Sequence, residues 1–285
     1  MSSKSIDVVL GRPAVLGVVN VTPDSFSDGG THLDPGAAVA AARRMLAEGA
    51  AVVDIGGEST RPGAAPVGLD EELRRIVPVL EGLAEGDGVV GASVSIDTTK
   101  AEVARRAVEL GAVLVNDVTA LRADPGLVEV VAESGALLCL MHMQGEPRTM
   151  QVAPHYDDVV AEVTAFLEER LAFAVEHGVA EDRICLDPGI GFGKTPDQNL
   201  ELLRRLDAIV AIGRPVLVGL SRKSTIGKAL GDPGARTATD AASVGAAIAA
   251  FDRGASIFRV HDVRSHVEAL AAAHAIESGR VAWPA

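Results

Sequence analysis

Asp97, Asn116 and Asp187 stand at the ends of separate short apolar runs, and Lys223, Arg259 and His261 stand at the ends of others. The first set offers a rim of amide and carboxylate oxygens. Such a rim suits a flat heterocycle with amidine-like N–H groups, which a carboxylate grips through paired bonds. The second set, with Arg61, is a local cluster of cations suited to a phosphate or diphosphate. Arg259 and His261 are two residues apart, so on a strand their side chains point the same way. Asn20 ends the first apolar run and can present a carbonyl oxygen to Mg2+, which takes few protein ligands and keeps phosphate and water as the rest. The turn 221–224 opens a helix whose free amides favour a carboxylate or phosphate. Residues 17–30 run from an apolar strand into a polar, glycine-ended loop that carries Phe26.

Several of these residue types also have plainer uses. Asp54 and Asp117 can cap helices or hold loop amides, Asp24, Ser25 and Asp28 can form turns, and His142 can be a hydrogen-bonded structural histidine. The segment 189–195, Gly-Ile-Gly-Phe-Gly-Lys-Thr, resembles a phosphate-binding P-loop but has Pro188 where that pattern needs its first glycine. Its evenly alternating glycines do not make a dinucleotide fingerprint either. It reads as a loop that lets backbone and Phe192 approach a ligand.

Positioning these groups requires a frame. Short runs rich in Val, Ile and Leu recur at 15–19, 51–55, 93–96, 113–115, 137–141, 183–186, 216–219 and 256–260. Their continuous rather than alternating apolarity fits strands covered on both faces. Helical spacing fills stretches between them, at 36–48, 71–84, 101–110, 158–177 and 240–252, and several end in Gly as helix C-caps do. Eight strands alternating with helices in 285 residues predict a (β/α)8 TIM barrel of the α/β class, whose working face lies at the C-terminal strand ends. A doubly wound open sheet is the alternative. One domain is expected over 1–285, with 1–12 as a lead-in, a loop at 231–239 and a frayed tail at 280–285. Hydrophobic residues make up 48% of the chain but aromatics only 3%, so aliphatic side chains must fill the core. The formal net charge of −13 argues against general binding to nucleic acid or a membrane surface, which needs net basic surface. Cys139 and Cys185 lie in apolar runs and read as buried reduced thiols. With no long apolar run and no signal-peptide pattern, the chain reads as soluble and cytoplasmic.

These blocks, in this order, resemble dihydropteroate synthase of the folate pathway. The resemblance spans nearly the whole chain: 20–30, the Gly-Gly-Glu-Ser-Thr-Arg-Pro-Gly of 56–63, Asp97-Thr98, Asn116-Asp117, 141–145, 187–194, 221–224 and 259–262. Position 190, often Phe in relatives, is Ile here. The resemblance implies a homodimeric pterin-binding barrel that joins p-aminobenzoate to 6-hydroxymethyl-7,8-dihydropterin diphosphate. It further implies that Asp97, Asn116, Asp187 and Lys223 hold the pterin and that Arg259 stacks on its ring and faces the diphosphate. Thr60, Arg61 and His261 would bind phosphate oxygens and Asn20 Mg2+. Phe26, Thr60, Pro62, Phe192 and Ser224 would shape the p-aminobenzoate pocket. Asp97, Asp187, Lys223 and Arg259 would carry the catalysis, a dissociative substitution without covalent enzyme intermediate, and the loops at 25–30 and 59–65 would close over the site. Two rivals are a pterin-binding methyltransferase, for which no corrinoid motif is present, and a non-catalytic pterin-binding paralogue.

Overall fold

The computed structural model describes residues 13–22, 34–59, 64–85, 94–146 and 148–279, together with Ile6. Parallel strands alternate with helices from end to end. They are β1 (Ala14–Asn20), β2 (Val52–Gly56), β3 (Val94–Asp97), β4 (Leu114–Asp117), β5 (Leu137–Met141), β6 (Ile184–Asp187), β7 (Leu217–Val218) and β8 (Ile257–Val260). The helices are α1 (Pro35–Ala47), α2 (Leu69–Ala84), α3 (Ala101–Glu109), α4 (Gly126–Ser134), α5 (Val159–Glu176), α6 (Pro196–Arg204), α7 (Asp207–Val210), α8 (Ser224–Ala229), α9 (Asp240–Phe251) and α10 (Val263–Ser278). The sheet runs in the order β6-β5-β4-β3-β2-β1-β8-β7. An isolated parallel bridge between Leu186 and Val216 joins its two ends, with the Leu186 N–H donating to the Pro215 carbonyl at 2.9 Å. The molecule is therefore the (β/α)8 barrel, closed by a thin seam between β6 and β7.

Strand alternation explains how a nearly all-apolar strand can deliver a polar group. Leu16, Val52, Leu114, Leu137, Cys139, Cys185, Leu217 and Ile257 form one buried cluster inside the barrel. Their neighbours one residue on, such as Val53, Val115, Leu138, Leu186 and Phe258, belong to a second cluster packed against the helices. Counting by two along each strand from the inner cluster reaches Asn20, Asp54, Asn116, Asp187 and Arg259. Residue periodicity thus stacks a polar layer on an aliphatic plug. The strand ends lie slightly later than the apolar runs suggest: Asn20, Asp97 and Asp187 close their strands, and Asn116 lies one residue before the end of β4, all in ladders rather than loops. Ladder hydrogen bonds hold their backbones, which gives the site a stiffer base than loops would.

Candidate active site

The inner polar layer is knitted around Arg259. Its Nε donates to Asp54 Oδ2 at 2.6 Å and its Nη2 to Asp97 Oδ2 at 2.7 Å. Asn116 Nδ2 donates to the same Asp54 oxygen at 3.1 Å. Asp97 and Asn116 are partners in the β3–β4 register, so their side chains emerge side by side. Burial disfavours the Asp97 carboxylate and lifts it to about 7, although the Arg259 cation pulls the other way. Burial also works against the Arg259 cation, yet Asp54 and Asp97 more than offset it and hold it charged.

Asp187 sits across the mouth at the end of β6. Burial raises it to about 6, opposed by the Gly189 N–H and by the cations of Lys223, Lys194 and Arg259. Its Oδ1 accepts the Gly189 N–H at 2.7 Å. The two acidic positions and the two basic ones expected to share a ligand therefore do share one mouth.

Lys223 is presented by a strained turn. Arg222 has φ +58, a region disfavoured for a residue with a Cβ. The start of α9 holds it there: Ser243 Oγ accepts its N–H at 3.0 Å, and its guanidinium donates to both Asp240 oxygens at 2.8 and 3.0 Å. Lys223 then caps α8, with its ammonium 4.3 Å from the centre of the Phe192 ring.

The loop that carries Phe192 is pinned from beneath by Lys194. This lysine is 2% exposed. Its Nζ donates to the carbonyls of Gly189 (3.0 Å) and Phe192 (2.9 Å) and lies 2.9 Å from His142 Nδ1. Burial pushes Lys194 down to about 7. Burial and the neighbouring Lys194 and Arg122 cations push His142 down to about 2, so it is a neutral acceptor with a structural role. Asn199 takes the Gly191 N–H at 2.7 Å, and Gln151 and Tyr156 donate to the carbonyls of Gly191 and Gly193 at 2.7 and 2.8 Å.

The remaining expected residues divide into two groups. Asn20 closes β1 half-buried, paired in register with Gly56. The His261 N–H donates to Ser221 Oγ at 3.1 Å, and its Nδ1 lies 3.2 Å from the same oxygen. Ser224 opens α8. Phe26, Thr60, Arg61 and Pro62 lie outside the described residues, as do 25–30 and 60–63 of the two expected lids. The flanks of the second loop are described. Glu58 accepts the Val67 N–H at 3.2 Å and the Lys100 ammonium, Lys100 also binds the buried Glu72, and Arg75 donates to the Gly57 carbonyl at 2.8 Å.

Asp117 does hold loop amides, accepting from Thr119 N at 2.8 Å and Leu121 N at 2.6 Å. Asp54 does not: among the described residues its partners are Arg259 and Asn116. Its signal in the sequence was parity, since it lies two residues beyond the inward Val52. Lys194, Glu58, Glu72 and Lys100 gave no comparable signal, because a lysine or glutamate in a polar loop or on a helix is usually solvated.

The model of the pterin binding enzymes matches residues 16–261. The dihydropteroate synthase of Escherichia coli K12 is 47% identical over 272 residues, which cover 95% of this chain and 94% of that protein. A structure of Xanthomonas albilineans dihydropteroate synthase with 4-aminobenzoic acid superposes with a TM-score of 0.85 at 48% identity, covering 97% of this chain and 99% of that one. A second from the same organism, in complex with 7,8-dihydropteroate, gives a TM-score of 0.80 at 45% identity over 94% and 95% of the two chains. A barrel mouth in which carboxylate and amide acceptors for a flat ring are interleaved with cations is thus found in a chain matched nearly end to end, and the chain belongs to the dihydropteroate synthase family of pterin-binding enzymes, transferases that make 7,8-dihydropteroate for folate biosynthesis.

Proposed function

We propose that this site joins p-aminobenzoate to 6-hydroxymethyl-7,8-dihydropterin diphosphate by dissociative substitution, releasing 7,8-dihydropteroate and diphosphate. The observation that carries the reading is the pairing of two hard-to-ionise carboxylates, Asp97 and Asp187, with the fixed cation of Arg259 in one mouth. A dihydropterin can spread positive charge from its exocyclic methylene into the ring. When the methylene C–O bond breaks, its electron pair leaves with the diphosphate. The buried carboxylates then gain a cation to face, which favours their charged forms and the carbocation together. Asn116 and Lys223 would complete the grip on the ring. Arg259 and His261, with Thr60 and Arg61 from the loop outside the described residues, would offset charge on the leaving diphosphate.

The amine nitrogen of p-aminobenzoate then forms the new C–N bond and gives up a proton to solvent or to the diphosphate. This step needs alignment more than a strong base. Phe192 and Ser224, with Phe26 and Pro62, would line the second pocket. A Mg2+ ion fits Asn20: a half-buried amide oxygen at a strand end is a suitable hard ligand, and diphosphate oxygens and water would supply the others. Such an ion would add charge neutralisation at the leaving group. A homodimer in the cytoplasm is the expected state; no helix among the described residues is long and apolar enough to cross a membrane.

Mixing the chain with both substrates and Mg2+ tests the reading. Stoichiometric diphosphate and dihydropteroate are expected, with sulfonamides competing against p-aminobenzoate. A trapped covalent pterin–protein adduct would overturn the dissociative route, and methyl transfer to a cobalamin in place of diphosphate release would overturn the assignment.

A further inference from the structure

Asp54 is fully buried in β2, at the floor of the mouth. One of its oxygens, Oδ2, takes both the Arg259 Nε (2.6 Å) and the Asn116 Nδ2 (3.1 Å). Its other oxygen, Oδ1, is buried with no hydrogen-bond partner among the described residues. Asp54 shares the single cation of Arg259 with Asp97, which faces it at 2.7 Å, and of the two carboxylates Asp54 does more to hold it charged. An aliphatic side chain in its place would leave both donors, Arg259 Nε and Asn116 Nδ2, without their shared acceptor.

Geometry gives it a further task. A guanidinium tied at one nitrogen can still swing, whereas one tied at Nε and Nη2 to two strands cannot. The amide of Asn116 is likewise fixed. A carboxylate offers only acceptors, so the amide must turn its nitrogen toward Asp54, and its carbonyl oxygen is committed to the other side. We propose that Asp54 is a positioning residue of the pterin site: it fixes the tilt of Arg259 and decides which atom of Asn116 the pterin meets. This rests on the pterin-diphosphate reading above. An asparagine at this position could donate as well as accept, freeing Asn116 to turn over and leaving Arg259 at most a neutral acceptor where it now has a carboxylate.

The test is Asp54→Asn, alone and in the Asn116→Ala/Arg259→Ala background, with steady-state kinetics in both substrates and thermal unfolding. Alone, the substitution is expected to lower kcat/KM for the pterin diphosphate by roughly 30-fold or more, with KM for p-aminobenzoate at saturating pterin held within about threefold. In the doubly substituted background, where both partners are gone, the further loss should shrink to less than about threefold. Equal losses in the two backgrounds would mean that Asp54 only supports the barrel and would overturn the proposal. So would unchanged kinetics, or equal losses for both substrates that track a fall in unfolding temperature. Should Asp54→Asn not fold, Asp54→Glu carries the test: it keeps the charge but displaces the oxygen, and normal pterin kinetics in it would overturn the proposal. The wild-type chain separates the two claims. No dihydropteroate from it would remove the functional reading, whereas a working wild type with an indifferent Asp54→Asn removes only this inference.

Discussion

Burial lifts Asp187 from an ordinary carboxylate to about 6 even though three cations oppose the shift. The folded state therefore favours its neutral form. Its contribution to stability is present below pH 4 and is lost as pH rises through about 6. At pH 8 the fold carries a charge that its surroundings resist. Asp187→Asn removes that charge, and its amide oxygen can still accept the Gly189 N–H. We expect the variant to be more stable than wild type at pH 8 by on the order of 3 kcal/mol, the opposition of the cations being already contained in the net shift, with the gain vanishing by pH 4. Pterin binding should fall sharply in the same protein. Denaturant melts at the two pH values beside a calorimetric titration check this, and a variant destabilised at pH 8 would contradict it. Their place at the ends of apolar runs made Asp97, Asn116, Asp187 and Arg259 legible in the sequence, and the inward parity of the strands gathers Asn116, Asp187 and Arg259. Asp54 followed the same parity but was masked by its type, because aspartate after a strand so often serves a nearby amide.

The loop between β6 and α6 shows what the sequence reveals about an element and what it withholds. Its glycines marked it as a place of close approach, but not what approaches. Gly189 has φ +66, and a Cβ there would collide with the His142 carbonyl oxygen; at Gly193, with φ +62, a Cβ would meet the Gln144 carbonyl oxygen at 2.6 Å. Both contacts are with backbone, which cannot swing aside. Gly189→Ala is accordingly expected to destabilise by more than about 2 kcal/mol and to cost most of the activity, since the same backbone feeds its N–H to Asp187. A thermal melt and a turnover assay suffice, and a fully active Gly189→Ala would show that the loop relaxes freely. Thr195, by contrast, could be read directly: Thr-Pro-Asp-Gln is a capping box, and Thr195 Oγ1 accepts the Gln198 N–H at 3.2 Å while Gln198 Oε1 accepts the Thr195 N–H at 2.8 Å. Local pairs of this kind are written in adjacent residues. The Lys194–His142 contact joins positions 52 apart and only the folded barrel brings it about.

At the scale of the whole molecule, the strand count was plain from the apolar runs, but the unequal strength of the ring was not. β1 through β5 pair along three to five residues each, whereas the ends of the sheet meet in one bridge, Leu186 with Val216. The amides of Leu186 and of the two-residue β7 should exchange with solvent faster than those of the central strands. Mass-spectrometric or NMR exchange measures this, and uniform protection around the ring would refute it. Asp187 ends β6 on one bank of that seam, and Lys223 follows β7 on the other. A pterin gripped by both would span the gap and slow exchange there more than elsewhere. The first substrate would then act as a keystone: by bracing the weakest arc of the wall, it would make the enzyme more rigid when loaded than when empty.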